Sequence, residues 1–140
     1  MNISSKGQYA LAAIFDLACQ KPDEQVKTAT IAKRQKIPRK YLELILISLK
    51  QGGFVTSRRG SDGGYSLAGP AESITVGDVL RFIDGVGLKK PNRNHPPSPF
   101  SAVWGTVDQA VAEILDRQSF ASIVRDWVES QQSHALDWQI

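Results

Sequence analysis

The 140-residue sequence predicts a mainly α-helical fold with a small β-wing: a winged helix-turn-helix domain followed by a long helix suited to dimerisation. Three observations carry this. Within residues 28–67 two helix-period segments flank the breaker Lys36-Ile37-Pro38, and a hairpin with a charged, glycine-rich tip follows. Residues 26–61 hold nine Lys or Arg against one acid, Glu43, whereas residues 62–140 carry six basic and ten acidic side chains. Residues 100–117 form an amphipathic stretch whose apolar surface is broad enough to need cover on two sides. A two-helix unit with a basic hairpin can lay one helix in a DNA groove and a wing on the neighbouring backbone. Clustered cations also release counterions from phosphates; a solvated basic face is the blander reading of the same charge.

Taken in order, Ser4 or Ser5 can cap a first helix that runs to about Gln20, where Lys21-Pro22-Asp23 stops it. Leu11, Ile14, Phe15 and Ala18 recur at helical spacing as its buried face. Cys19 falls on or beside that face and reads as a small buried hydrophobe before a reactive thiol, since no cationic neighbour in sequence lowers its pKa. A second helix is expected over residues 30–35, with Thr28 or Thr30 as its cap. Pro38 suits the first position of the third helix, where Leu42, Ile45, Leu46 and Leu49 form a core stripe. Arg39, Lys40, Glu43, Leu44, Ile47 and Lys50 lie opposite. Gly52-Gly53 ends this helix with positive-φ positions.

Residues 54–57 read as a strand, 58–64 as a loop and 65–67 as the returning strand. Gly60, Gly63 and Gly64 allow a tight turn close to a phosphate, but no Gly-Lys-Ser/Thr and no nucleotide-binding helix follow, which excludes a P-loop. After Gly69-Pro70, Thr75 caps a short helix over residues 76–83 with Val79, Leu80 and Ile83 inward. Residues 85–99 are a Pro-rich linker loop, in which His95 reads as a solvated histidine and not as a metal ligand.

In the long helix, Val103, Val107, Ala110 and Ile114 form one edge and Trp104, Val111 and Leu115 another. The 4, 3, 4 spacing of the first edge suits a helix pairing with its copy, so Val103, Val107, Ala110, Val111 and Ile114 are the candidate dimerisation residues; packing of both edges within one chain is the alternative. Ser119 caps a last helix with Phe120, Ile123, Val124 and Trp127 as its core stripe. The tail over residues 136–140 alternates like a strand or hook. The expected division is a DNA-binding domain over residues 1–84, the linker over 85–99, and a helical dimerisation region with a C-terminal tail over 100–140.

Composition narrows the function further. One cysteine permits no internal disulfide and no cysteine cage for a metal. No run approaches the roughly 20 apolar residues of a membrane span, and residues 1–10 lack a charged leader with an apolar core; a cytoplasmic protein with no membrane partner is expected. His95 and His134 have no partnered nucleophile in sequence and no carboxylate pair has a recognisable setting, so no catalytic residue and no enzyme are expected.

The opening SSKGQYAL, the run IPRKYLELILISLKQGGFV, the wing RRGSDGGYSL and the segment ITVGDVLRFIDG stand in the order and spacing of the Rrf2-type winged-helix repressors. The chain resembles this bacterial family, which includes the iron–sulfur cluster regulator and the cysteine-metabolism repressor, over about residues 2–87 and more loosely beyond. The resemblance implies a homodimer, joined through the long helix, on a palindromic double-stranded DNA operator. It implies backbone contacts from Ser4, Ser5, Lys6 and Tyr9 and a recognition-helix head of Arg39, Lys40, Tyr41 and Glu43; Thr28 is a further DNA-binding candidate. Arg58, Arg59, Gly60, Ser61, Gly63 and Gly64 correspond to the wing. Such cations reach phosphates or guanine, and Glu43 can accept from cytosine N4.

Two departures qualify the resemblance. Leu44 and Ile47 are apolar where the family tends to polar residues, which points to thymine methyls and a different operator. The loop over residues 85–99 has no cysteine, so neither an iron–sulfur cluster nor another cofactor is expected. Cluster-free members respond to a partner enzyme or a redox-active thiol, and Cys19 is the one candidate thiol. A winged-helix interaction module without sequence-specific DNA binding is the alternative function, separable by salt-dependent affinity for duplex DNA.

Overall fold

The computed structural model describes residues 3–85 and 97–138. The N-terminal unit is built on α1 (Ser5–Ala18), α2 (Thr28–Gln35) and α3 (Arg39–Gln51), followed by an antiparallel pair, β1 (Val55–Arg58) and β2 (Gly64–Leu67). A 3-10 turn over Ala71–Ser73 leads to α4 (Val76–Asp84); α5 (Ser101–Asp116) and α6 (Phe120–Trp138) complete the chain. No described helix is long and apolar enough to cross a membrane.

Local chemistry sets most of the boundaries. The Ser4 side chain caps α1 by accepting from the Gly7 amide at 2.9 Å. Thr75 and Asp78 form a reciprocal capping box at the start of α4, which satisfies two amides that the first turn leaves open. The α2–α3 turn is made by Lys36 in the left-handed region, φ 55°, a conformation more usual for Gly or Asn. Its side chain is exposed and Ile37 beside it is buried.

Several boundaries differ from those the residues suggested. Helix α2 begins at Thr28 with Lys27 as its N-cap and no side-chain cap, so Thr28 and Thr30 lie inside the helix and neither caps it. Pro38 is the N-cap of α3, one position before the one expected. Of the two glycines closing α3, Gly52 is right-handed and Gly53 alone carries positive φ, 81°. The buried face of α1 is Gly7, Ala10, Ala13, Ile14, Asp16 and Leu17; Leu11, Phe15 and Ala18 are only half-buried at its flank. Small residues let α1 sit close against α3 and α4, which rotates its inward face away from the bulkier side chains.

Leu42, Ile45, Leu46 and Leu49 of α3 are fully buried, with Ile14, Ile31, Val55 and Val79 around them. Phe120, the first residue of α6, joins the same core. It is held there by backbone: the Phe120 amide donates to the Ile74 carbonyl at 2.9 Å, and the Val76 amide donates to the Gln118 carbonyl at 2.8 Å. Arg81 of α4 bonds Asp116 at the end of α5 and Asp78 in its own helix, contacts that raise its already high pKa.

The C-terminal helices follow expectation in α5 and depart from it in α6. Residues 101–110 of α5 are exposed throughout, and with Ile114 the whole first predicted edge is uncovered, whereas Val111 and Leu115 of the second edge are half-buried and only its Trp104 is exposed. In α6, Phe120 is buried and Ile123 and Val124 half-buried, but Trp127 is exposed because α6 has by then diverged from the core. The tail expected to be a strand or hook continues α6 as helix to Trp138. His95 and most of the Pro-rich loop lie outside the described residues.

Candidate nucleic-acid interface

The surface is assembled from the outer face of α3 and the β1–β2 hairpin. Because the core stripe of α3 is completely buried, the helix cannot roll, and its other face is necessarily outward. Lys40, Glu43, Leu44 and Ile47 are exposed there, and Arg39 pairs with Glu43 at 3.5 Å. Such a solvated i, i+4 pair contributes only tenths of a kcal/mol and can be exchanged for external partners at little cost. Tyr41 points sideways instead: it is half-buried and makes an edge-on contact with Tyr9 of α1, ring centroids 5.5 Å apart. These two tyrosines fix the head of α3 against α1.

The hairpin pairs Val55 with Leu67 through to Arg58 with Gly64. Lys50 Nζ donates to Ser57 Oγ at 2.7 Å, tying the end of α3 to the first strand of the hairpin. At the tip, the Gly63 amide donates to the Gly60 carbonyl at 3.0 Å. A side chain at Gly63 would collide with the Arg58 carbonyl oxygen, and one at Gly64 would lie 2.5 Å from that of Val26. Gly63 and Gly64 are thus required by the turn and by the bridge from Tyr65 to Val26. Arg58, Arg59, Gly60 and Ser61 are exposed, and neither arginine forms an ion pair among the described residues.

The remaining predicted positions divide. Ser5 and Lys6 are exposed at the start of α1. Ser4 is engaged in structure: besides capping α1, its hydroxyl and amide both donate to the carboxylate of Asp84 at the end of α4. Thr28 is half-buried in the first turn of α2. Arg34, one of the nine clustered cations, is turned away from this surface to bind Asp16 with Nε at 3.0 Å and Nη2 at 2.8 Å, and Gln35 adds a third bond to the same carboxylate at 3.0 Å. Asp16 is 2% exposed, and this α1–α2 joint was missed from the residues alone. The available cue is that Asp16 is the sole acid before Asp23 and lies in an otherwise apolar helix.

Cys19 corrects the sequence expectation of burial: it is exposed at the C-cap of α1. Partial loss of surrounding water, then the Asp16 charge, hold its thiol above the usual cysteine pKa, with Arg34 opposing them. Position makes it accessible, while its electrostatics keep it protonated and weakly nucleophilic at neutral pH.

A helix-turn-helix core, a cation-edged outer helix and a glycine-tipped wing define a DNA-binding module of the winged-helix class. The family model described as the Rrf2 iron-dependent transcriptional regulators matches residues 3–126, and the chain belongs to that family. It is 32% identical over 133 residues to Protein rrf2 of Nitratidesulfovibrio vulgaris, spanning 90% of this chain and 89% of that one. Among solved structures, it is similar to T. potens IscR, with TM-score 0.80, 34% identity, and 94% of this chain and 91% of that one covered. It is likewise similar to CymR, the global cysteine regulator of B. subtilis, with TM-score 0.79, 28% identity, and 89% and 97% covered. The family and its neighbours are transcriptional regulators.

The family's description names iron. Thiolates are the usual ligands of an iron–sulfur cluster and several are needed; these 140 residues contain one cysteine, at the end of α1. Among the described residues no three His, Cys, Asp or Glu side chains converge as a metal site. The donor set does not fit a cysteine-held cluster.

Proposed function

We propose that the protein is a homodimeric regulator that recognises a palindromic operator and represses transcription by covering a promoter, without an iron–sulfur cluster. The observation that carries this is the division of α3: four fully buried aliphatics lock it, and its opposite face offers Arg39, Lys40 and Glu43 at the helix start, where a recognition helix meets base edges. The wing arginines flank that face and suit phosphates or a narrow minor groove. Dimerisation is supported by Phe100 and, on α5, Val103, Trp104, Val107 and Ile114, large apolar side chains that the chain leaves uncovered. The single cysteine supports cluster-free operation.

The test is selection of bound duplexes from a random library at near-physiological salt, with sedimentation of the same preparation. One recovered inverted-repeat motif bound by a dimer is the expected result. Motif-free binding by a monomer would overturn the proposal.

A further inference from the structure

On the reading just proposed, α3 has one feature that phosphate and polar base contacts leave unexplained. Lys40, Leu44, Ile47 and Gln51, at spacings of 4, 3 and 4, run along the outer face opposite the buried stripe. Leu44 is 63% exposed and Ile47 49%. Both are distant in sequence from the apolar run of α5, and both lie between the Arg39–Glu43 pair and the base of the wing. Their surroundings are cationic: Arg39 and Lys40 at the head of the helix, Lys50 at its end, Arg58 and Arg59 on the hairpin. That rim matches a polyanion, which argues for duplex DNA as the occupant of this face.

We infer that Leu44 and Ile47 are specificity-determining residues that read the C5-methyl groups of thymines in the major groove. The methyl is the apolar group a base edge presents there, and aliphatic side chains can gain nothing from the acceptors and donors around it. They also reject alternatives, because pressing a hydrocarbon onto an exocyclic amine removes water without replacing its hydrogen bond. The three-residue step from Leu44 to Ile47 advances about 4.5 Å along the helix, against about 3.4 Å between stacked base pairs. The two side chains are thus far enough apart to meet different base pairs. Glu43, beside Leu44, supplies the polar contact, so the half-site combines a carboxylate-read base with thymines next to it.

The test uses the full chain and a duplex recovered from the random library, with each thymine replaced in turn by deoxyuridine, which removes the methyl and nothing else. The expected result is an affinity loss of about fourfold per methyl at one or two positions of each half-site. In Leu44→Ala or Ile47→Ala the loss at the corresponding position vanishes, with thermal midpoint unchanged because both residues are solvent-facing. A recovered motif indifferent to deoxyuridine at every position overturns this inference and leaves the proposed function standing. A change of oligomeric state in Leu44→Ala with DNA preference intact also overturns it, and makes the face a protein interface. Failure to recover any motif overturns the proposed function and this inference with it.

Discussion

At the scale of single residues, two arginines of similar appearance have opposite roles. Arg34 neutralises a carboxylate that is almost wholly buried, and removing it strands that charge. Arg34→Ala is expected to lower stability by about 2–3 kcal/mol, below the full cost of breaking a buried pair because Gln35 remains and Arg34 is itself half-exposed; a urea unfolding curve measures this. Arg59→Ala should change stability by less than about 0.5 kcal/mol. It should weaken binding to all duplexes and flatten the log–log salt dependence by about one per protomer, checked by titrating labelled DNA across salt concentrations. Counting charge in a sequence window cannot separate these residues, because Asp16 lies 18 positions before Arg34 and meets it only once α1 and α2 pack. Cys19 was misplaced for a related reason: periodicity put it beside an apolar face, but the helix ends there and that face turns toward smaller residues.

At the scale of elements, α3 and the wing were the most legible. A dense aliphatic stripe, a proline at the entry and glycines at the exit each have one physical meaning, and the structure follows them to within a residue or two. The caps of α2 were less legible, because Thr28 and Thr30 could each satisfy the same amides and Lys36 supplies a left-handed turn without glycine. The wing yields a sharp prediction. Gly64, at φ 152°, lies where a side chain would press on the Val26 carbonyl. Gly64→Ala is expected to cost about 1–3 kcal/mol and to speed hydrogen exchange at the Val26 and Tyr65 amides, which bond each other's carbonyls. Gly60→Ala, with φ 105° but open space around it, should cost less, as thermal midpoints of the two variants would show.

At the scale of the molecule, the uncovered run of α5 is the dominant feature. Periodicity revealed its two edges, but no intramolecular pattern can say what covers them, and the structure shows that the chain itself leaves residues 101–110 exposed. If α5 pairs two protomers as proposed, Val107→Asp should leave the protomer folded and shift sedimentation from dimer to monomer, with DNA affinity falling steeply as two linked half-site contacts become one. An unchanged sedimentation coefficient would count against pairing through α5. The expected boundary near residue 84 also looks different in three dimensions, because Phe120 closes the core of the helix-turn-helix unit from the far side of the linker and α5. During synthesis at about 5–20 residues per second, α3 is thus complete several seconds before the core around it can shut. A nascent chain stalled in that interval would expose an apolar gap at the place in the core that Phe120 fills.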